Sequence, residues 1–351
     1  MPSPLTEIIR AKIAQDGPLP FRDYMELALY HPEFGYYTSG RAQIGRRGDF
    51  FTNVSVGALF GRLLALELAR LWKEDGCPQP FTLVEQGAHG GELMADVLHG
   101  LRELAPECFA ATHAVIIEPS AALAKKQRQL LAALPIQWLP SLHDLAPFCG
   151  VHFSNELPDA FPVHLVTWTG TEWLERHVVE HHGKFAFTDA PLSSAALAAA
   201  CRTLPQPLPE GYHTEINLAA SAWITDVAAK LQRGSVLIVD YGYPREEYYA
   251  PERIEGTLST YAAHRREPNP LARPGEIDLT AHVDFTALIE AGKAAGLRQA
   301  EFTDQHHFAV RLGMEYFADG AHAADRRAFM TLMHPQFMGR AFKVLRMQRS
   351  A

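Results

Sequence analysis

The chain has 351 residues, 47% of them hydrophobic and 21% charged, which is enough for one large core with insertions or for two domains. Its formal net charge of -8 argues against a nucleic-acid groove, because phosphate binding depends on clusters of Lys and Arg. The 17 histidines and four cysteines show no metal-ligand spacing and no disulfide framework. No apolar run reaches the roughly 18 residues that span a bilayer, so we expect a cytoplasmic protein without metal or membrane segment.

The first part of the chain is predicted to be helical, with one ordered loop. Two short amphipathic helices are predicted over residues 5–14 and 21–29. An aromatic and glycine-rich segment follows over 30–53, and a longer helix is predicted over 56–72. Aromatic, glycine-rich segments without a regular period are typically ordered loops that carry a function.

A strand, a glycine-rich turn and a helix are predicted between residues 82 and 98. The turn reads Glu85-x-Gly87-x-His89-x-Gly91. It lacks the G-x-G-x-x-G fingerprint of dinucleotide folds, and an acid here would repel a pyrophosphate but could hold the ammonium of an amino acid. The turn therefore favours S-adenosylmethionine, with Glu85, Gly87 and Gly91 as cofactor residues. A tight turn without any ligand is the alternative.

Two further strands each lead to a candidate cofactor residue. The strand 113–117 is followed by Glu118, and an acid at that position can accept hydrogen bonds from both ribose hydroxyls. A solvated acid before a helix is the alternative. After the strand 136–139, the loop that contains Leu142 is expected near the adenine on the basis of its position alone.

Short motifs occur in order between Pro20 and Phe285. They read Pro20-Phe21-x-x-Tyr24-Met25, His31-Pro32-x-x-Gly35-Tyr36-Tyr37, Gly48-Asp49-Phe50-x-Thr52, Asn155-Glu156-Leu157-Pro158-Asp159-Ala160-Phe161-Pro162-Val163, Asp240-Tyr241-Gly242 and Asp278-Leu279-Thr280-Ala281-His282-Val283-Asp284-Phe285. This set resembles the MidA family of class I methyltransferases, whose mitochondrial members act in assembly of respiratory complex I. His89 departs from the family, which usually has the middle glycine of a Gly-x-Gly-x-Gly turn at that position.

The resemblance implies a fold, a cofactor and an activity. The fold would be α/β, a class I methyltransferase (Rossmann-like) seven-stranded sheet with an N-terminal helical cap and a β-rich insertion. The cofactor would be S-adenosyl-L-methionine, with Phe50, Thr52 and Asn155 as further binding residues. The activity would be methylation of an arginine nitrogen on a protein substrate.

Acidic residues after the fourth strand, 151–154, are candidate catalytic groups. In protein arginine methyltransferases two carboxylates near this strand grip the guanidinium, and the resemblance implies that task for Glu156 and Asp159. Neutralising an arginine at pH 7 would cost roughly 7 kcal/mol, whereas paired carboxylates fix the charged guanidinium through bidentate hydrogen bonds. Capping of the turn that begins at Pro158 is the alternative for Asp159. His282 is a candidate for acid–base chemistry.

Two insertions are predicted in the second half of the chain. Alternating patterns indicate a β-rich insertion at about 164–212, which would shape acceptor binding or provide a dimer edge. A segment of little period at about 243–282 is predicted to fold over the acceptor as a lid. A helix is predicted over 215–231 and the fifth strand over 235–240. Residues 297–303 and 342–347 are predicted to form a final antiparallel pair of strands. The chain would thus comprise a helical cap with a cofactor-covering loop, residues 1–75, and a methyltransferase domain, residues 76–351.

Three functions remain open from the sequence. A methyltransferase that acts on a protein arginine is favoured. A small-molecule methyltransferase is the first alternative, and a pocket closed by the lid would mark it. A non-catalytic assembly or scaffold protein is the second, and it would fail to bind the cofactor because of His89. We expect a protein partner, no nucleic acid and no membrane. The sequence leaves open whether the protein forms a homo-oligomer. It also leaves open a location in the mitochondrial matrix if a transit segment is missing.

Overall fold

The computed structural model describes residues 3–39, 53–262, 265–318, 320, 322–334 and 338–350, so the predicted cofactor residues Phe50 and Thr52 lie outside the described residues. The helices are α1 (Pro4–Asp16), α2 (Phe21–Tyr30), α3 (Leu59–Glu74), α4 (Glu92–Leu104), α5 (Pro106–Ala111), α6 (Ala121–Leu130), α7 (Ala195–Cys201), α8 (Leu218–Lys230), α9 (Arg245–Tyr248), α10 (Phe285–Ala294), α11 (Gln305–Tyr316) and α12 (Arg326–Met333). Short 3-10 helices are Asn53–Val56, Leu142–Asp144, Pro158–Ala160 and Ala323–Asp325.

The strands are β1 (Leu19–Pro20), β2 (Phe81–Gln86), β3 (Thr112–Ile117), β4 (Ile136–Leu139), β5 (Phe148–Asn155), β6 (His164–Trp168), β7 (Trp173–His181), β8 (Lys184–Ala190), β9 (Tyr212–Ile216), β10 (Leu231–Tyr243), β11 (Ser259–Ala262), β12 (Arg265–Arg266), β13 (Asp278–Thr280), β14 (Val283–Asp284), β15 (Arg298–Asp304) and β16 (Phe342–Arg349). Seven of them form the main sheet in the order β15-β16-β10-β5-β2-β3-β4. The strands from β10 to β4 run parallel, and β16 is antiparallel to both β15 and β10. The two-residue strand β14 pairs with the end of β10. This arrangement confirms the predicted seven-stranded α/β sheet and its final antiparallel pair.

Helices cover both faces of the main sheet. Successive side chains of a strand point to opposite faces, so a strand that is apolar at every position must be buried on both sides. Leu83 of β2 belongs to a core that includes residues of α3, α4 and α11. The next residue, Val84, belongs to a second core with residues of α8 and α10. Helix α3 therefore packs in the core of the main sheet. The division at residue 75 stays a proposal.

A second sheet joins the N-terminal segment to the region predicted as the β-rich insertion. Its strand order is β1-β7-β6-β9, and β8 pairs with β7. β1, which lies between the first two helices, pairs antiparallel with β7. Phe21 and Met25 of α2 share a hydrophobic core with Leu165 and Val178 of this sheet. The N-terminal helices therefore rest on the inserted strands.

The helix predicted over 215–231 begins later than expected. Glu215 belongs to β9, and α8 starts at Leu218. The residue between them, Asn217, caps the helix because its Oδ1 accepts a hydrogen bond of 2.9 Å from the backbone N–H of Ala220. The expectation of helix at Glu215 was wrong.

The segment predicted as a lid contains a small third sheet in the order β12-β11-β13. β11 and β13 pair antiparallel, with Ser259 opposite Thr280. The buried carboxylate of Glu215 holds the start of this segment. It accepts hydrogen bonds from the backbone N–H groups of Thr257, at 3.0 Å, and Leu258, at 2.9 Å. The second sheet thus anchors the third.

Candidate active site

A cavity of about 890 Å³ lies at the carboxyl ends of the parallel strands, the edge at which open α/β sheets bind ligands. Its wall combines the turn after β2, the ends of β3 and β5, helix α2 with the turn that follows it, and the third sheet. The predicted site residues that line it are Glu85, Gly87, Glu118, Asn155, Glu156, Asp159 and His282. Most of the predicted site residues that the structure describes therefore come together around one space.

The turn after β2 places three residues in the left-handed backbone region. Gly87, His89 and Gly91 have φ angles of 81°, 42° and 92°. A Cβ at Gly87 would lie 3.1 Å from Leu157 Cδ1, and one at Gly91 would lie 2.9 Å from Leu131 Cδ1. Gly87 lines the cavity, whereas Gly91 is the N-cap residue of α4. His89 adopts a conformation that suits glycine, at a cost of roughly 1–2 kcal/mol.

Glu85 is buried near the end of β2, where it is 2% exposed. Its Oε2 has no hydrogen-bond partner among the described residues, although buried polar atoms are normally paired. Burial, and then the charge of Glu92, raise the pKa of Glu85 to about 8. An ammonium against this oxygen would pair it and favour the ionised carboxylate. The residues present therefore fit the amino-acid end of S-adenosylmethionine.

Glu118, which follows β3, is held by two hydrogen bonds. Its Oε1 accepts from the backbone N–H of Ser120 at 2.8 Å, and its Oε2 accepts from Gln127 Nε2 at 2.9 Å. Burial raises the pKa of this carboxyl group. A carboxylate has about four lone-pair sites, so two bonds leave capacity for the ribose hydroxyls that the sequence predicts here.

A chain of amides supports Glu156, which follows β5. Asn53 Nδ2 donates to Asn155 Oδ1 at 2.9 Å, and Asn155 Nδ2 donates to Glu156 Oε1 at 2.8 Å. Glu156 has a φ of 53°, and its N–H donates to the carbonyl of Val239. Burial raises the pKa of Glu156 to about 7. Asn53 was not predicted from the sequence, because it reaches Asn155 across 102 positions of the chain.

Asp159 lies beside two further carboxylates that the sequence motifs contain but that were not assigned a role. Asp240 Oδ2 accepts a hydrogen bond of 3.2 Å from the backbone N–H of Asp159. Asp278 lines the cavity and accepts a hydrogen bond of 2.7 Å from the hydroxyl of Tyr37. Burial, and then the charges of Asp240, Glu156 and Asp278, raise the pKa of Asp159 well above its usual value. The 3-10 helix that contains Asp159 has no side-chain cap, so the capping alternative does not describe this residue.

His282 lines the cavity from the loop after β13. Its backbone N–H donates to Thr257 Oγ1 at 3.0 Å, and its Nδ1 has no partner among the described residues. Burial, and then the charge of Arg253, lower the pKa of His282 to about 4, so the imidazole is neutral at pH 7. Leu142 was expected near the cofactor, but it lies in a 3-10 helix and belongs to the hydrophobic core that contains Val115. The structure does not bring Leu142 to the cavity wall.

The strand order, the glycine turn and the acids near the carboxyl ends of β2 and β3 define a class I methyltransferase. The chain belongs to a family of S-adenosyl-L-methionine-dependent methyltransferases, whose model matches residues 63–303. The predicted resemblance to the MidA family, the fold class, the cofactor and the class of enzyme are confirmed.

Relatives cover nearly the whole chain. The Drosophila melanogaster "Protein arginine methyltransferase NDUFAF7 homolog, mitochondrial" is 29% identical, and the match covers 98% of this chain and 84% of that protein. Homo sapiens "Protein arginine methyltransferase NDUFAF7, mitochondrial" is 27% identical over 97% of this chain and 83% of its own length. A Burkholderia thailandensis crystal structure bound to S-adenosyl-homocysteine is 34% identical, with a TM-score of 0.88 and coverage of 99% and 95%.

The names of the relatives and the described helices bear on the cellular setting. The two named relatives are called mitochondrial, and the cytoplasmic location of this protein stays a prediction. Within the described ranges, no helix has both the length and the apolarity required to cross a membrane. The same residues contain no group of three or more His, Cys, Asp or Glu side chains arranged to hold a metal ion.

Proposed function

We propose that this enzyme methylates an arginine nitrogen of a protein substrate. The proposal rests on the side chains of the cavity wall. Among the described residues, the wall contains acidic side chains but no Lys or Arg. The acids are Glu26, Glu85, Glu92, Glu118, Glu156, Asp159 and Asp278. Carboxyl groups gathered on a concave wall favour a cationic ligand, because the cation stabilises their ionised form. The names of the relatives, which are protein arginine methyltransferases, support the same substrate class.

The acids beyond β5 suit a guanidinium better than an amine. Glu156, Asp159 and Asp278 line the same cavity, and the charges of Glu156 and Asp278 raise the pKa of Asp159. A planar guanidinium offers five N–H donors and keeps its charge, so several carboxylates can hold it at once. A lysine must lose its proton before it attacks, and neighbouring carboxylates oppose that loss. The cluster therefore favours arginine.

The reaction requires positioning and the removal of one proton. S-Adenosylmethionine supplies an electrophilic methyl group on its sulfonium when it is bound. Glu156 and Asp159 would orient the guanidinium through charge-assisted hydrogen bonds, and the third sheet would exclude water from them. With a pKa of about 7, Glu156 is suited to receive the proton that the methylated nitrogen releases. The neutral His282 would accept a hydrogen bond at Nδ1.

A small guanidino or amino compound is the second candidate acceptor. The third sheet favours it, because Ser259, Tyr261 and Thr280 of this sheet line the cavity and would cover its acceptor end. Such a compound would meet the same carboxylates without a peptide chain. The two candidates therefore differ in size and not in charge.

Methyl transfer from labelled S-adenosylmethionine tests both candidates. The acceptors are a peptide library with a central arginine, the same library with lysine, and free arginine. Label on the arginine peptides is expected, label on free arginine alone would favour the second candidate, and label on lysine alone would contradict the proposal. Asp159→Asn should reduce transfer by about 100-fold or more, as loss of a preorganised charge contact does. The exposed Asp226 provides the control, because Asp226→Asn makes the same chemical change outside the cavity.

A further inference from the structure

Gln127 of α6 is a fully buried amide whose hydrogen bonds lead to the cofactor side of the cavity. It has 0% exposure. Its Nε2 donates to the backbone carbonyl of His89 at 2.8 Å and to Glu118 Oε2 at 2.9 Å. Its Oε1 accepts a hydrogen bond of 3.0 Å from Trp138 Nε1. The amide thus joins the turn after β2 to the acid that follows β3.

Trp138 determines which way the amide faces. An indole nitrogen can only donate a hydrogen bond, so the oxygen of Gln127 must point to Trp138. The amide NH₂ group then has to face His89 and Glu118, and each of its two N–H groups meets one acceptor. Every hydrogen-bonding group of this side chain is paired, which makes the arrangement rigid.

Both acceptors need support of this kind. His89 holds a left-handed backbone conformation, with a φ of 42°, that disfavours residues other than glycine. A bond to its carbonyl fixes the orientation of the turn. The bond to Glu118 occupies one carboxylate oxygen and fixes the rotation of the group. We propose that Gln127 is a positioning residue that preorganises the cofactor site and compensates for a histidine at a glycine position of the turn.

Calorimetric titration with S-adenosylhomocysteine tests this proposal on the intact protein. Gln127→Met keeps the side-chain length but removes the three hydrogen bonds, and we expect the affinity to fall about tenfold or more. Gln127→Glu can still accept from Trp138, but it places a carboxylate against Glu118, and it should lose at least as much affinity at neutral pH.

Gln305 provides a matched control. It is also buried, at 1% exposure, and its Nε2 donates to the carbonyl of Leu332 away from the cavity. Gln305→Met removes one hydrogen bond of a buried amide outside the cavity and should retain the affinity of the parent, and thermal unfolding of both Met variants measures the loss of stability separately. Equal losses of affinity in the two Met variants would overturn the proposal, because they would indicate general destabilisation.

The coupling to His89 gives a second readout that a purely structural role would not produce. In a His89→Gly background the turn reaches its left-handed conformation without help. The fold-loss of affinity caused by Gln127→Glu or Gln127→Met should therefore be smaller in that background than in the parent. Equal losses in both backgrounds, or an affinity of folded Gln127→Glu within about twofold of the parent, would refute the assigned role.

Discussion

The buried carboxyl group of Glu85 allows a quantitative prediction about cofactor binding. A pKa of about 8 means that about 90% of the free enzyme carries a proton on Glu85 at pH 7. An ammonium bound there requires the ionised form, so binding should release about 0.9 proton per molecule at pH 7. Ionisation costs about 1.4 kcal/mol at this pH, against a charge-assisted hydrogen bond of about 1.5–3 kcal/mol. Glu85→Gln should therefore weaken binding by up to about 1.6 kcal/mol, or about 15-fold.

Calorimetry in two buffers measures both quantities. S-Adenosylhomocysteine is titrated at pH 7 in phosphate and in Tris, whose ionisation enthalpies differ. The parent should give different heats in the two buffers because it releases a proton, whereas Glu85→Gln should give nearly equal heats and a higher Kd. The same affinity and the same proton release in parent and variant would refute the assignment of Glu85 to the ammonium.

The same substitution, Glu85→Gln, should stabilise the unliganded protein although it weakens cofactor binding. Because burial raises the pKa of Glu85 from 4.5 to about 8, the ionised form opposes folding. This penalty is absent below about pH 4.5, grows with pH, and reaches about 3 kcal/mol at pH 7. Glu85→Gln should thus raise the urea midpoint of the unliganded protein at pH 7 but not at pH 4.5. An equal or lower midpoint at pH 7 would contradict this reasoning.

Three further predictions concern the acceptor end, the stability of the main sheet and the glycine turn. Tyr37→Phe removes the hydroxyl that holds a cavity carboxylate and should slow methyl transfer about tenfold without changing affinity for S-adenosylhomocysteine. Tyr24→Phe, which loses a hydrogen bond outside the cavity, should leave transfer unchanged. Glu67→Gln should lower the free energy of unfolding by about 2–3 kcal/mol in urea, because two arginines pair with this buried carboxylate; an unchanged midpoint would contradict it. Gly91→Ala should cost about 1–2 kcal/mol and weaken cofactor binding, whereas Gly211→Ala, at a similar φ of 79° with open space around it, should leave binding intact.

Local sequence patterns were sufficient to predict most of the main sheet. An apolar strand, glycines at turn positions and helical spacing are visible within a short window, which is why the turn after Glu85 and the strand before Glu118 could be located. The acids at strand ends follow from the same logic, since parallel strands bring their carboxyl ends to one edge. The motif resemblance added the region of Glu156 and Asp159, where periodicity says little.

Contacts between distant parts of the chain could not be predicted in this way. Gln127 is one polar residue on a helix, and only the folded structure shows that it meets His89, 38 positions away. Asp278 reaches its partner Tyr37 across 241 positions. Leu142 was assigned by order along the chain, which does not determine whether a side chain points to a cavity or into a core.

A crystal structure of the protein with S-adenosylhomocysteine would show directly which residues hold each end of this ligand. We expect the ligand ammonium within hydrogen-bond distance of Glu85 and the ribose hydroxyls on Glu118, with the sulfur facing Glu156 and Asp159. A ligand bound in the reverse direction, or outside the cavity, would contradict the roles of Glu85 and Glu118 in cofactor binding.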